Sequence, residues 1–161
     1  MSNVFYSSGS VSLVSPTIEL CEELSKKIKK DDITEVFSLG LLDPREKLWD
    51  FSNQGESYMI MIDGCPEVIF GVGVDSFIGN VGYLWMISSE KISEIPFRVL
   101  KYTRKMIAYF LTKYNSLENY IYLNNTKSLN WVKFAGAKIY PPQLMGPFDM
   151  PFCKFTFERS E

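Results

Sequence analysis

The dipeptide Asp63-Gly64 stands between two apolar runs, and it constrains the possible folds more than any other feature of the chain. The two runs, 57–62 and 68–74, are rich in residues that favour β-strands. Asp-Gly between such runs predicts a two-residue hairpin, because both turn residues must adopt a positive φ. The sequence therefore predicts an antiparallel pair of strands near the middle of the chain.

A third strand and a long helix are predicted directly after this hairpin. In the segment 81–88, apolar residues fall on both faces, which is typical of a central, buried strand. From Pro96 to Tyr114, apolar residues recur at helical spacing, which predicts the longest helix of the chain. A polar face of this helix carries Lys101 and Lys105.

Shorter elements are predicted on both sides of this central unit. The upstream elements are a strand at 11–14, a helix with Ser15-Pro16 at its start, a helix opening at Asp31-Asp32 and a helix opening at Asp43-Pro44. The downstream elements are a strand at 119–123, a helix at 126–135 that ends at Gly136, and a closing hairpin of 138–140 with 152–157. This order predicts an α/β fold with one mixed sheet covered by helices. No repeat or linker divides the sequence, so we expect a single domain over residues 1–161.

Four lysines crowd the end of the first predicted helix: Lys26, Lys27, Lys29 and Lys30. Cations suit the carboxyl end of a helix dipole, and a charge run usually forms a solvated face. An anion site is the alternative use for such a cluster. We predict that these side chains are exposed to solvent.

Composition and charge exclude several classes of function. The chain has no histidine, which excludes histidine-based catalytic triads and histidine metal sites. Its 17 basic and 19 acidic residues leave a net charge of −2, so we expect neither a nucleic acid nor an anionic membrane as partner. Cys21, Cys65 and Cys153 show no C-x-x-C spacing, which predicts free and mostly buried thiols and no metal site. No apolar run is long enough for a membrane span and no secretion signal is present, which predicts a soluble protein made in a cytoplasm.

Two consecutive segments resemble the GNAT N-acetyltransferase superfamily. They are NYIYLNNT at 119–126 and LNWVKFAGA at 129–137, which are similar to the GNAT pattern of a strand ending in Asn followed by a helix that closes on a glycine turn. The resemblance implies a GNAT-like mixed central sheet covered by helices. It also implies acetyl-CoA as the possible cofactor.

Over residues 11–157 the chain is also similar to the GNAT-like internal virion proteins of short-tailed bacteriophages. The matching stretches are 43–46, 62–66 with 70–72, 84–88, 119–137, and 151–152 with Phe155. This resemblance implies a virion-associated protein that is made in the host cytoplasm and whose partners are other virion proteins.

The GNAT resemblance assigns cofactor contacts to particular residues. In GNAT enzymes a backbone N–H at the splayed end of the central strand meets the thioester, which corresponds here to Met86, Ile87 and Ser88. Paired sheet amides are the alternative for these three residues. Asn125 matches the Asn that reaches the pantetheine arm, but it also stands where a helix N-cap is expected, and both roles remain open.

The phosphate-binding motif that is typical of GNAT enzymes is missing from this sequence. GNAT enzymes typically carry Arg/Gln-x-x-Gly-x-Gly/Ala before the long helix, whereas the segment 88–98 contains no glycine. Glu90 and Glu94 add negative charge there. Arg98 and Lys101 are then the basic side chains predicted to contact the phosphates.

The proton chemistry of an acetyltransferase has few candidates in this sequence. GNAT enzymes often place a Tyr four residues before the helix-ending Gly, but Val132 occupies that position here. Without histidine, the general base has to be a carboxylate or a water chain, and Glu56 and Asp75 are the candidates; solvation of strand ends is their alternative role. Trp131 and Phe134 are predicted to be core residues.

Two hypotheses follow. The missing glycines, Val132 and the phage resemblance favour a virion-associated protein with a GNAT fold whose catalysis is weak or lost. The alternative is an active acetyl-CoA-dependent N-acetyltransferase that acts on a protein or a small amine.

Overall fold

The computed structural model describes residues 3–76, 79–94 and 97–160, with the side chains of 74–76, 98 and 99 left undescribed. Over this part of the chain, nine strands form one sheet that is flanked by five α-helices and one 3-10 helix. The strands are β1 Val4–Ser8, β2 Val11–Val14, β3 Gly55–Ile62, β4 Cys65–Ser76, β5 Val81–Ser88, β6 Ser116–Tyr122, β7 Lys138–Ile139, β8 Gln143–Met145 and β9 Met150–Glu158. The helices are α1 Ile18–Ser25, α2 Lys30–Ser38, α3 Pro44–Ser52, the 3-10 helix Glu90–Glu94, α4 Phe97–Lys113 and α5 Thr126–Phe134. The predicted α/β fold with a mixed sheet is confirmed.

The strands follow the order β1-β2-β3-β4-β5-β6-β9-β7, and β8 pairs with β9. Each of these pairs is antiparallel except β5 with β6, which is parallel. The predicted hairpin is confirmed, with φ of 50° at Asp63 and 77° at Gly64. As predicted, β5 is central, because it lies between β4 and β6. The mixed sheet therefore has its single parallel junction in the middle.

Helices cover both faces of the sheet. Alternate residues of a strand point to opposite faces, and Met59 and Ile69 belong to one buried cluster while Ile60 and Phe70 belong to another. The first cluster packs against α1 and α3, and the second against α4 and α5. The β5–β6 junction is thus enclosed between two apolar layers.

Three local predictions are wrong. The N-cap of α1 is Thr17, whose hydroxyl accepts a hydrogen bond from Leu20 N at 3.2 Å, so the predicted Ser15-Pro16 start is two residues early. The lysine cluster is not solvated throughout, since Lys29 is only 1% exposed. Phe134 is 40% exposed instead of lying in the core, because it packs at the surface against the Phe97 ring.

Other predictions are confirmed. Trp131 is buried, and the three cysteines are free, with Cys21 and Cys153 buried and Cys65 partly so. Burial raises the pKa of the Cys21 thiol to about 11, because the ionised form would lose its hydration. The N-terminus of the predicted long helix, Pro96, lies outside the described residues. Within the described ranges, no helix is both long and apolar enough to cross a membrane.

Candidate functional site

The two parallel strands at the centre of the sheet separate partway along their length. Pairing between β5 and β6 covers three residue pairs and ends at Tyr83 with Glu118, although both strands continue. At this point the Asn119 side chain crosses the gap, and its Nδ2 donates to the Leu84 carbonyl at 3.0 Å. Beyond Asn119 the sheet opens.

A cavity of about 540 Å³ occupies this opening. Glu35, Val36 and Phe51 line it from the side of α2 and α3. From the side of α4 and α5 it is lined by Met106, Ile107, Trp131 and Val132. The cavity thus reaches both faces of the sheet through the gap between β5 and β6.

The backbone N–H of Met86 faces the cavity. In a strand, the N–H and C=O groups of alternate residues point to the same side. The Leu84 carbonyl accepts from Asn119, and the Ser88 N–H donates to the Asp32 carboxylate, so both residues turn their polar groups away from β4. Met86 lies between them and lines the cavity. Its N–H is therefore directed into the opening, where it can donate to a carbonyl oxygen.

The other two predicted backbone donors are engaged elsewhere. By the same alternation, Ile87 turns its N–H towards β4. The Ser88 N–H donates to Asp32 Oδ2 at 2.8 Å, and the Ser88 carbonyl accepts from Lys29 N at 2.9 Å. The segment between α1 and α2 therefore covers the end of β5. Of Met86, Ile87 and Ser88, the structure directs only the Met86 donor into the cavity.

A buried polar network joins α2 to the end of β6. The Lys29 ammonium forms an ion pair with Asp32 and donates to Ser128 Oγ at 3.1 Å. Asn125 Nδ2 donates to Asp32 Oδ1 at 2.9 Å and to Glu35 Oε2 at 2.5 Å. The buried charges of Lys29 and Asp32 therefore compensate each other, and Asn125 links this ion pair to Glu35.

Asn125 is fully buried and precedes α5, but its side chain does not cap that helix. The capping alternative for Asn125 is therefore wrong, since the side-chain amide binds two carboxylates instead. Its Oδ1 has no hydrogen-bond partner within the described part of the chain.

Glu35 is the site residue that sequence reasoning missed. It lines the cavity, and its carboxylate accepts hydrogen bonds from Asn125 and from the Tyr122 main-chain N–H. Burial raises the pKa of Glu35 to about 8, and the neighbouring Asp32 adds to this, while Asn125, Lys29 and Tyr122 counteract it. A carboxyl group with such a pKa can take up and release a proton near neutral pH, which is the property required of a general base.

Of the two sequence-predicted bases, Glu56 is described in full, and it does not line the cavity. Glu56 on β3 forms an ion pair with Lys113 at 2.8 Å and accepts from the Tyr58 hydroxyl. Burial raises the pKa of Glu56, but the hydrogen bonds from Lys113 and Tyr58 outweigh burial and bring that pKa below its usual value. Glu56 is not among the residues that line the cavity. The side chain of Asp75 lies outside the described residues.

The segment before α4 uses several of its own amides. The Lys91 N–H donates to Ser89 Oγ at 3.2 Å, and the Ile92 N–H donates to the Ser89 carbonyl at 3.3 Å. Ile92 is buried, and Glu90 forms an ion pair with Lys127. The amides of Lys91 and Ile92 are therefore already engaged and are not directed at a phosphate.

The basic side chains predicted to contact the phosphates lie on α4. Lys101 is exposed, with its Nζ 5.9 Å from the centre of the Phe97 ring, and Lys105 is exposed as well. The Arg98 side chain lies outside the described residues. No group of three or more acidic or cysteine side chains that could hold a metal ion is found in the described ranges.

Comparison with known proteins finds no matching family model and no matching curated protein, but solved structures match over almost the whole chain. The microcin C7 self-immunity acetyltransferase MccE, solved in complex with acetyl-CoA and AMP, is similar with a TM-score of 0.67 at 11% identity, over 94% of each chain. A GNAT-family acetyltransferase from Bacillus anthracis has a TM-score of 0.67 at 8% identity, over 94% of this chain and 96% of that chain. The spermidine N-acetyltransferase from Vibrio cholerae, in complex with CoA and spermine, has a TM-score of 0.64 at 7% identity, over 92% of this chain and 95% of that chain.

These likenesses show the fold: the chain has the mixed α/β fold of GNAT acetyltransferases, as the sequence predicted. The narrower resemblance to phage virion proteins stays a prediction.

Proposed function

We propose that the protein is an acetyl-CoA-dependent N-acetyltransferase in which Glu35 is the general base. The observation that carries this proposal is that one cavity, at the opening between β5 and β6, is lined by both Met86, with its inward N–H, and Glu35. A donor for a developing oxyanion and an acceptor for a proton are the two groups that acyl transfer to an amine needs. The fold likeness to acetyltransferases supports the same conclusion.

The residues at the opening fit the acetyl end of acetyl-CoA. The cavity of about 540 Å³ reaches both faces of the sheet, and the Met86 N–H is the donor that faces it. Lys101 and Lys105 on α4 would hold the phosphates, because the amides of Lys91 and Ile92 are engaged. When bound, acetyl-CoA supplies an acetyl thioester that an amine can attack.

Each residue then has a definite task. The Met86 N–H donates to the carbonyl oxygen and stabilises the negative charge that develops there. Glu35, once ionised, accepts a proton from the acceptor ammonium and so produces the neutral amine that attacks. Asn125 holds the Glu35 carboxylate through Nδ2 at 2.5 Å. Since the pKa of Glu35 is about 8, the rate should rise with pH through that value.

The test is release of the CoA thiol by the purified protein from acetyl-CoA and a primary amine, with Glu35→Gln as the comparison. Wild type should release thiol only when the amine is present, and Glu35→Gln should be slower by about 10² to 10⁴. Thermal unfolding with acetyl-CoA tests binding separately, since a ligand at 100 times its Kd adds about 2.7 kcal/mol to the free energy of unfolding. No change in melting temperature at millimolar acetyl-CoA would refute the proposal.

A second function has its own supporting observation. The end of β5 at Ser88 is occupied by Lys29 and Asp32, and the amides of Lys91 and Ile92 are engaged, so the chain fills positions that a cofactor would otherwise use. This favours a GNAT-fold component of a phage particle, partnered by other virion proteins, with weak or lost catalysis. Mass spectrometry of purified particles from the phage that encodes the chain tests this alternative, and consistent absence of the protein from them would refute it.

A further inference from the structure

The side of the cavity next to α2 carries a single carboxylate without a cation bound to it. Among the described residues that line the cavity, the charged side chains are Asp32 and Glu35. Asp32 is held in the ion pair with Lys29, which also donates to Ser128. Glu35 receives hydrogen bonds from neutral donors only, Asn125 and the Tyr122 N–H. An acceptor therefore finds one carboxylate there for one ammonium.

The rest of this side of the cavity is mainly apolar. Val36, Leu39, Leu41 and Phe51 line the cavity from α2, α3 and the segment between them, and Gln54 after α3 adds an uncharged polar side chain. Leu41 is 54% exposed, so it stands at the mouth of the cavity. An acceptor amine that extends from Glu35 towards solvent therefore contacts mainly apolar side chains.

The surface next to this mouth is apolar too. The β8–β9 turn packs against the end of α2, because a Cβ at Gly146 would lie 2.2 Å from the Ser38 carbonyl oxygen. On these two adjoining segments the exposed side chains include Phe37, Leu42, Leu144 and Phe148, each at least 44% exposed. Burying apolar ligand surface against such groups stabilises a complex.

We propose, on the basis of the proposed function, that the acceptor is a monoamine: one primary ammonium on an aromatic or aliphatic body. Its ammonium pairs with Glu35, and its body lies against Val36, Leu39 and Leu41. A polyamine would bring further ammonium groups along the same wall. The other carboxylate of the described lining, Asp32, is already paired with Lys29, and an unpaired buried charge is strongly unfavourable. In the reaction the amine nitrogen forms the bond to the acetyl carbon, the thioester C–S bond breaks, Glu35 takes one ammonium proton, and the second leaves with the thiol.

The test compares 2-phenylethylamine, hexylamine and spermidine, both as acceptors in thiol release and as ligands in calorimetry without acetyl-CoA. We expect kcat/KM for the two monoamines to exceed that for spermidine by about 100-fold, which is the discrimination an apolar pocket achieves against an added polar group. A preference for spermidine would overturn the proposal.

Leu41→Asp tests the apolar wall directly, since it places a second carboxylate at an exposed position of the lining. This variant should lose affinity for the monoamines and gain affinity for spermidine. Ile18→Asp is the matched control, because Ile18 is 47% exposed and does not line the cavity. If Leu41→Asp and Ile18→Asp showed the same affinity for the monoamines relative to spermidine, that result would also overturn the proposal.

Failure of the proposed function gives a different pattern. Without thiol release from any amine, the enzyme assignment fails while calorimetry still decides the ligand class. Monoamine binding without spermidine binding then supports the inferred selectivity, and binding of neither, or of spermidine alone, refutes it.

Discussion

Replacing Glu35 with glutamine should stabilise the protein at alkaline pH and slow acetyl transfer by about 10² to 10⁴. The pKa of Glu35 is raised from an ordinary 4.5 to about 8 in the folded protein. Between these values the unfolded chain releases a proton that the folded protein keeps, so the free energy of unfolding falls as the pH rises through this window. The full shift of this pKa changes the free energy of unfolding by roughly 5 kcal/mol, because each pKa unit corresponds to about 1.36 kcal/mol.

Urea denaturation of wild type and Glu35→Gln at about pH 5 and about pH 8 measures this effect. Proton linkage predicts that, from the lower to the higher pH, the free energy of unfolding of wild type falls by about 3.5 kcal/mol relative to that of Glu35→Gln. Glu22→Gln on α1 is the control, because Glu22 is exposed, and its difference from wild type should not change in this way. A pH-independent difference between Glu35→Gln and wild type, together with kcat retained within about threefold, would refute the assignment of Glu35 as a general base with a raised pKa.

Three further substitutions test the surrounding structure. Asn125→Ala removes a hydrogen bond that lowers the pKa of the proposed base, so the pH profile of kcat should move to higher pH; an unchanged profile would contradict that role. Lys29→Met leaves the Asp32 carboxylate buried without its cation, so the free energy of unfolding measured in urea should fall by about 3–5 kcal/mol. Adding Asp32→Asn to this variant should restore a large part of that loss. Gly146→Ala should lower the free energy of unfolding by about 1–3 kcal/mol more than Gly64→Ala in the same assay. Both glycines have a positive φ, but only at Gly146 would the added Cβ lie 2.2 Å from a carbonyl oxygen. Equal losses would show that the β8–β9 turn is not packed against α2.

The sequence predicted the elements whose signals are local. The Asp63-Gly64 turn has one compatible backbone conformation, and the apolar pattern of 81–88 requires a buried strand, so both were predicted correctly. Strands β1 and β8 were missed because they are defined by their pairing with β2 and β9. The solvation of Lys29 was predicted wrongly for a related reason, since its partners Asp32 and Ser128 come together only in the folded chain.

The site shows the same division. Met86 could be placed near the splayed end of the central strand, because the resemblance to GNAT enzymes implies a backbone donor at that position. Glu35 could not, since one glutamate in an amphipathic helix carries no sequence signal of its own. Its position depends on Asn125, 90 residues away, and on the end of β6. Glu56 was chosen because it lies next to a strand, but its charge is compensated by Lys113 away from the cavity.

The behaviour of the Met86 amide on addition of acetyl-CoA tests the account most directly. In ¹⁵N-resolved NMR spectra of the labelled protein, we expect the Met86 N–H to shift saturably and its exchange with solvent to slow as acetyl-CoA is added. The neighbouring amides of Ile87, directed at β4, and Ser88, bound to Asp32, should change much less. A Met86 amide that is unaffected at millimolar acetyl-CoA, or that exchanges as slowly as that of Ile87 in the free protein, would contradict an acetyl-transfer site at the opening of the sheet.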